Sequence, residues 1–233
     1  MRQVGRMTKV APARRDEDEP VLTAAAQLFR AKGYAATSLR EVARAAGMLP
    51  GSLHYRYASK ESLLVALMER GVGRLIEGIR AALDAVRDPV DRIRIGLRTH
   101  ARLVCGGDGS IYVLLYDWRA LGDTARVAIE REIARYEAFW DGLLYEALGT
   151  GRVRPGVDPR ILRSLGFGAM NWLPQWYDAA SCPPPEAIAD AFFAALAFGV
   201  LESTSRPYDE EQVFRALNAA TDSLEARPRV RKG

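Results

Sequence analysis

Apolar residues recur every three or four positions along most of this chain, whereas the alternating pattern typical of β-strands is nearly absent. Helices with one apolar stripe bury that stripe by packing against other helices. One long stripe consists of Ile129, Ile133, Tyr136, Trp140, Leu143 and Ala147. The pattern predicts an all-α protein of roughly nine helices.

Capping residues, prolines and glycines indicate where these helices begin and end. Pro20, after two acidic residues, predicts that the first helix starts there and runs to Lys32. Ser38 and Glu41 have the spacing of a capping box, which predicts a second helix ending near Ala46. Further helices are predicted at about 50–57, 60–83, 90–104, 110–121, 124–148, 159–179, 186–201 and 209–226.

The second and third predicted helices are short and flank a turn at Gly47, as in a helix-turn-helix. Leu53 and Tyr57 of the third helix would face inward, which leaves its N-terminal end exposed. That end suits the major groove of DNA, because backbone amides meet phosphates while side chains reach base edges. Two short helices around a glycine turn also occur in ordinary helical cores, so this pattern alone leaves both interpretations open.

The segment from Thr37 to Leu63 resembles the N-terminal domain of the TetR family of regulators. The residues that carry the match are Val42-Ala43, Ala46-Gly47, Gly51-Ser52-Leu53, Tyr57 and Ser59-Lys60-Glu61. The resemblance implies an N-terminal three-helix helix-turn-helix DNA-binding domain followed by a C-terminal helical ligand-binding and dimerisation domain. It implies a ligand-responsive repressor that binds a palindromic double-stranded DNA operator as a homodimer and is released by a small effector.

The resemblance also implies which residues touch DNA. The expected contacts are Thr37, Ser38, Leu49, Pro50, Gly51, Ser52, His54, Tyr55 and Lys60. The chain departs from the family pattern at His54, where tyrosine is usual, and at Leu49 and Pro50, where polar residues are usual. Leu49 and Pro50 either contact thymine methyl groups or only tighten the turn. Lys60 either binds a phosphate or is a solvated lysine in the first turn of its helix.

Four segments follow from this organisation. Residues 1–17 are expected to form a flexible basic arm, 18–65 the DNA-binding domain, 66–226 the ligand-binding and dimerisation domain, and 227–233 a basic tail. The arm carries several arginines and no acidic residue before Asp16, so it either follows DNA phosphates or stays solvated.

Aromatic residues mark the expected effector site in the C-terminal domain. Large apolar walls with a few polar groups suit a ligand pocket, although such helices also form ordinary cores. Pro174 is expected to kink its helix and to open space there. The candidate ligand-binding residues are Arg102, Tyr112, Tyr116, Trp118, Arg119, Trp140, Asn171, Trp172 and Trp176.

The run from Asn171 to Tyr177, with that from Met48 to His54, resembles the TetR branch that controls fatty-acid or sterol-ring breakdown. That branch responds to acyl-CoA thioesters, which implies an acyl-CoA or another lipophilic compound as effector. Cations near the phosphates would come from Arg94, Arg98, His100 and Arg102, unless these form a solvated face. The alternatives are an efflux-gene repressor responding to aromatic or lipophilic compounds, a helical adaptor that binds protein instead of DNA, and a small thioester-binding enzyme, for which no catalytic motif is present.

The last two long helices are expected to form the dimer seam, as the resemblance implies. On the ninth helix the stripe of Phe192, Ala195, Leu196 and Gly199 contains small residues that permit close helix approach. The same stripe also fits packing within one chain. On the eighth helix, Leu165, Ala169, Trp172 and Trp176 share one predicted face.

Composition excludes several other classes of protein. Its two cysteines, Cys105 and Cys182, lie outside any paired ligand spacing, so we expect no metal site, no disulfide framework and no cofactor. No apolar stretch reaches the length of a membrane span, about eighteen residues, and no signal peptide is visible. We therefore expect a cytoplasmic protein without a membrane partner.

Overall fold

The computed structural model describes residues 13–153 and 156–200, and within them the protein is all-helical. The prediction of an all-α fold is confirmed. A single turn of 3-10 helix, Trp118–Ala120, lies between the sixth and seventh helices. The α-helices are α1 (Ala13–Lys32), α2 (Leu39–Ala45), α3 (Pro50–Arg56), α4 (Lys60–Leu83), α5 (Pro89–Cys105), α6 (Gly109–Tyr116), α7 (Asp123–Leu148), α8 (Pro159–Trp176) and α9 (Pro185–Val200).

Most helices begin where their capping residues predict. At α2 the Ser38 hydroxyl accepts from the Glu41 amide at 3.2 Å, and the Glu41 carboxylate accepts from the Ser38 amide at 2.9 Å. Ser59 caps α4, and Asp88 and Asp158 cap α5 and α8. These local hydrogen bonds satisfy amides that have no partner inside the helix, which is why short-range sequence signals located them.

Three predicted boundaries were wrong. Helix α1 begins at Ala13 instead of after Glu19 and contains Pro20, because a proline removes one hydrogen bond without forbidding a helix on either side. Helix α6 ends at Tyr116 instead of 121, and α8 ends at Trp176 instead of 179, two residues after Pro174. The predicted helix at 209–226, the basic tail and residues 1–12 of the arm lie outside the described residues.

Helices α1, α2 and α3 pack together and rest on the start of α4. Their shared core includes Phe29, Val42, Leu53 and Leu63, all essentially inaccessible to solvent. Helix α4 continues into a second group formed by α5, α7, α8 and α9. The long helix α4 therefore connects the helix-turn-helix to the C-terminal helices.

Helix α6 seats its N-terminal end directly on α1 and α4. A Cβ added at Gly71 would lie 2.8 Å from the Ser110 carbonyl oxygen, and one added at Gly109 would lie 2.8 Å from Ala26 Cβ. Only glycine allows backbones to approach this closely. Arg74 of α4 adds ion pairs to Asp108, at 2.5 Å, and to Glu19, at 2.8 Å. A movement of α6 would therefore displace both α1 and α4.

Among the helices of the described ranges, none combines the length and apolarity needed to cross a membrane.

Candidate DNA-binding and effector sites

The N-terminal end of α3 projects from the protein, as the sequence predicts. Leu49 and Tyr55 are 76% and 92% exposed, while Leu53 and Tyr57 on the opposite face are buried. The remaining expected contacts on this end, Pro50, Gly51, Ser52 and His54, are all exposed. Nothing within the described chain packs on this face, so it is open to a groove of DNA.

The two residues before α2 have different environments. Thr37 is buried, and its hydroxyl donates to the Gly33 carbonyl at 3.0 Å, so it fastens the end of α1 and lies away from the exposed surface. Ser38 is exposed, but its side chain is engaged with Glu41. Hydrogen bonds from Lys32 and then from Ser38 lower the pKa of Glu41 to about 2, so this carboxylate stays charged.

Lys60 is not the solvated lysine that was one of the two expectations for it. Its ammonium donates to the carbonyl oxygens of Tyr34 at 2.9 Å and Ala35 at 3.1 Å, and it lies 4.3 Å from the centre of the Tyr34 ring. An ammonium has three N–H donors, so one remains for a further acceptor. Lys60 thus joins α4 to the turn after α1, and a phosphate contact stays a prediction.

Arg40 and Arg44 add a positive face that sequence reasoning did not single out. They lie four residues apart on α2, both are exposed, and within the described chain neither forms an ion pair. Residues at this spacing share one face of a helix. The spacing was therefore the signal that could have found them, and the two charges suit the DNA backbone.

The C-terminal helices enclose an apolar cavity of about 70 Å³ between α5, α7, α8 and α9. Of the nine expected ligand-binding residues, only Trp140 lines it. The other lining residues are Val90, Ile93, Leu97, Leu144, Ala147, Leu148, Val153, Leu162, Arg163, Gly166, Phe167, Phe192, Phe193, Leu196 and Ala197. The sequence missed most of these because each lies on a stripe that fits an ordinary core.

A chain of buried hydrogen bonds runs beside this cavity. The Tyr136 hydroxyl lies 2.5 Å from Nδ1 of His100, and His100 Nε2 lies 2.9 Å from Oδ1 of Asn171. The Asn171 carbonyl then accepts from the Tyr116 hydroxyl at 2.6 Å. Since Oδ1 only accepts, His100 carries its proton on Nε2 and Nδ1 accepts from Tyr136. The chain links α7 to α5, α8 and the end of α6.

Burial holds this chain in its neutral form. His100 is 1% exposed, and desolvation lowers its pKa to about 4, although the bond to Asn171 acts in the opposite direction. Burial also raises the pKa of Tyr136. The expectation that His100 is one of the cations for an acyl-CoA is therefore wrong, because the ring is uncharged at neutral pH.

Trp140 stands between the cavity and the hydrogen-bond chain. Its ring is edge-on to Tyr136 and to Phe167, with centres 6.4 Å and 6.0 Å apart. The buried indole N–H is directed to the Tyr136 hydroxyl oxygen, with a geometry short of a regular hydrogen bond, and that hydroxyl donates its own proton to His100. Trp140 thus contributes aromatic surface to a cavity wall that is almost entirely apolar.

The other expected ligand-binding residues lie away from the cavity. Trp172 is 61% exposed, and Trp118, on the 3-10 turn, lies under the guanidinium groups of Arg119 and Arg126. Tyr112 and Tyr116 contact each other, with ring centres 4.7 Å apart. Trp176 is half-buried against the core. Tyr116 and Asn171 belong to the hydrogen-bond chain, but the structure does not bring the whole set together.

Three arginines of α5 are already paired with acidic residues of α9. Arg94 and Arg98 both bind Asp190, and Arg102 lies 3.6 Å from Glu186. These contacts attach α5 to α9 along its length.

Two family models match the chain, one over the helix-turn-helix and one over the C-terminal helices. The model for bacterial regulatory proteins of the tetR family matches residues 21–67, and that for the tetracyclin repressor-like C-terminal domain matches residues 86–200. The chain belongs to the TetR family. It is therefore a DNA-binding transcriptional regulator, and the enzyme alternative is set aside because this family is non-enzymatic.

Curated and solved relatives of this TetR-family chain include regulators named for lipid metabolism. The fatty acid metabolism regulator protein of Bacillus subtilis (strain 168) is 22% identical over 65% of this chain and 78% of its own length. The repressor KstR2 of Mycolicibacterium smegmatis is 22% identical over 82% of this chain and 92% of its own. The crystal structure of AibR with isovaleryl coenzyme A and operator DNA is 28% identical, with a TM-score of 0.69, covering 76% of this chain and 96% of AibR.

Proposed function

We propose that this protein is a repressor that binds a palindromic operator as a homodimer and leaves it when an acyl-CoA thioester occupies the apolar cavity. The observation that carries the proposal is the apolar cavity between α5, α7, α8 and α9. Its wall is hydrocarbon and aromatic, with Trp140 as one of its members and Arg163 as its single charged residue. An acyl thioester suits such a cavity, since its hydrocarbon chain gains from leaving water while its coenzyme A part stays outside.

The relatives support this class of effector. AibR is named in complex with isovaleryl coenzyme A and operator DNA, and the Bacillus relative is named for fatty acid metabolism. In this chain the phosphates of coenzyme A would lie near Arg98 and Arg102 of α5, one of the helices that line the cavity.

The exposed face of α8 supports the homodimer. Ile161, Leu165 and Trp172 are 61%, 54% and 61% exposed and follow one another at helical spacing. On α9, Ala195 is exposed as well. An apolar stripe of this kind on a soluble surface usually marks an interaction site, and a two-fold seam would bury it against itself. Gly199, the last residue of the expected α9 stripe, lies outside the part whose side-chain surroundings are described.

The hydrogen-bond chain offers a route from the cavity to the DNA-binding helices. Phe167 of the cavity wall stacks on Tyr136 and His100, with ring centres 5.3 Å and 5.9 Å away. A ligand that shifts α8 moves Asn171, whose backbone carbonyl holds Tyr116 at the end of α6. Helix α6 in turn rests on α1 and α4.

Ligand binding drives release only if the ligand prefers the arrangement that does not fit DNA. Equal affinity for both arrangements would leave the operator occupancy unchanged. We therefore infer that a bound acyl group is held most tightly when α8 is displaced, and that this displacement moves α6 through Asn171 and Tyr116. The two α3 helices of the dimer would then no longer match the spacing of the half-sites.

The aromatic wall favours a second candidate. Trp140, Phe167, Phe192 and Phe193 surround the cavity, which also suits aromatic lipophilic compounds. The protein would then be the repressor of an efflux gene. The two candidates differ in whether the effector needs a thioester.

Fluorescence anisotropy on DNA from upstream of the protein's own coding region tests the proposal. The purified protein is titrated at several salt concentrations, and then a panel of acyl-CoAs, free coenzyme A and aromatic lipophiles is added. Salt-sensitive binding that is reversed by acyl-CoAs but not by free coenzyme A supports the repressor and its effector class. Release by aromatic compounds alone favours the efflux repressor, and DNA binding that no member of the panel changes contradicts both effector assignments.

A further inference from the structure

We propose that the effector carries a short, unsubstituted acyl chain and that Gly166 of α8 sets the upper limit on its size. The inference rests on the proposed function, because it concerns the acyl end of the same ligand. It adds a size limit and a chemical character, argued from the cavity of this chain, to the proposed effector class. Two observations carry it: the volume of the cavity, and the character of its wall around Gly166.

The cavity volume limits the number of carbon atoms. The empty space is about 70 Å³. For scale, an engineered cavity of about 150 Å³ in another protein accepts benzene, which has six carbons. In proportion, this cavity accepts roughly three carbons beyond the thioester carbonyl. A butanoyl group fits that size, whereas a hexadecanoyl chain or a steroid ring does not.

The wall offers no partner for a polar substituent on the chain. Its one charged member, Arg163, is only 12% exposed and is held by Glu137 at 2.8 Å and Asp141 at 2.7 Å. Apart from the Trp140 indole, the remaining lining residues are hydrocarbon. A hydroxyl or second carboxylate on the acyl chain would lose water without gaining a hydrogen bond. The cavity therefore selects plain acyl groups over hydroxyacyl or dicarboxylic ones.

Gly166 is the position where one atom changes the cavity without disturbing the fold. A Cβ there would have only Leu97 Cδ2 within 4 Å, at 3.9 Å, which is an ordinary contact. An added methyl group would thus occupy free cavity space. Gly96 on α5 differs, because a Cβ there would meet Trp140 Cη2 at 3.0 Å and push on the indole itself. Gly166 is therefore the position at which a single added methyl group reduces the cavity volume while the rest of the wall stays in place.

The experiment compares acyl-CoAs of increasing length with wild type, Gly166→Ala and a control. The control is Gly142→Ala on α7, where an added Cβ meets nothing within 4 Å. Affinity is measured by titration calorimetry, and operator release by anisotropy. For wild type we expect the best effector to have about four carbons in its acyl group. Because one methylene in an apolar pocket is worth about 10- to 200-fold, we expect Gly166→Ala to weaken that effector at least tenfold and to shift the optimum to a shorter chain.

Each outcome decides a separate point. A best effector of hexadecanoyl length, or tighter binding of hydroxybutanoyl-CoA than of butanoyl-CoA, overturns this inference and leaves the proposed function standing. No response to acyl-CoA of any length overturns both. If Gly166→Ala keeps the wild-type length profile while its thermal unfolding shows an intact fold, Gly166 does not set the limit. If Gly142→Ala shifts the preferred acyl-chain length as Gly166→Ala does, the assignment of Gly166 is also overturned, because Gly142 lies outside the cavity.

Discussion

His100 Nε2 donates a 2.9 Å hydrogen bond to Asn171 Oδ1, and this contact joins α5 to α8 inside the effector domain. The bond keeps the imidazole in one neutral tautomer, with Nδ1 free to accept from Tyr136. It also turns a single buried ring into a junction between three helices. The protonation state of His100 therefore bears on both stability and signalling.

Acid should destabilise the folded protein through His100. Its pKa is about 4 when folded against an ordinary value of 6.5, because burial disfavours the charged ring. The unfolded chain takes up the proton below about pH 6.5, while the folded chain does so only near pH 4. The contribution of His100 to the free energy of unfolding is therefore fully present above pH 6.5, is lost as the pH falls from 6.5 to 4, and changes no further below pH 4.

Protonation of His100 should lower the free energy of unfolding by about 3 kcal/mol, which follows from a pKa difference of roughly 2.5 between the folded and unfolded chain. Urea unfolding of wild type and His100→Gln between pH 7.5 and 4 measures it, because the variant lacks this titration but shares the carboxylates. We expect the advantage of wild type over the variant to shrink across that range. A constant difference would show that His100 does not resist protonation.

Replacing Lys60 by alanine should lower stability as well as DNA affinity. The variant loses two hydrogen bonds to carbonyls and the contact with the Tyr34 ring, which together are worth about 1–3 kcal/mol. The salt dependence of operator binding separates the two effects. A phosphate contact predicts that the slope of log K against log salt falls by about 1. An unchanged slope, with stability lowered, would show that Lys60 only supports the fold.

Gly71→Ala should loosen α6 from α4, whereas Gly73→Ala should not. The added Cβ at Gly71 meets backbone atoms of Ser110, so something must shift, at a cost of about 1–3 kcal/mol. At Gly73 it meets nothing within 4 Å, so the matched control should gain up to about 1 kcal/mol from better helix propensity. Unfolding and operator anisotropy measure both variants. Equal behaviour of the two would argue against α6 as the coupling element.

Leu165→Asp should produce a monomer. The side chain is 54% exposed on α8, so the change costs the isolated chain little, but it places a charge in the proposed seam. Light scattering after gel filtration gives the mass, and anisotropy gives the operator affinity. We expect a loss of the dimer and at least a tenfold weaker operator complex. Tyr145→Asp, on the exposed side of α7, is the control and should remain dimeric.

Sequence predicted most helix starts and the outward face of α3, because caps and glycine turns act within a few residues of one another. Whether Trp140 or Trp172 faces the cavity depends instead on which helices pack together. On α8, Leu165 and Trp172 are exposed, while Ala169 and Trp176, placed on the same predicted face, are half-buried. His100 and Asn171 are 71 positions apart in the sequence, so no local sequence pattern predicts the hydrogen bond between them.

The exposed end of α3 has a consequence for how such a regulator diversifies. Leu49 and Tyr55 make few contacts with the rest of the chain, so replacing them leaves the folding free energy nearly unchanged. Substitutions around Trp140, in contrast, alter a packed wall and carry a cost in stability. On the proposed contact of this end with DNA, a change of operator therefore costs the fold little, whereas a change of the proposed effector requires compensating changes elsewhere in the core.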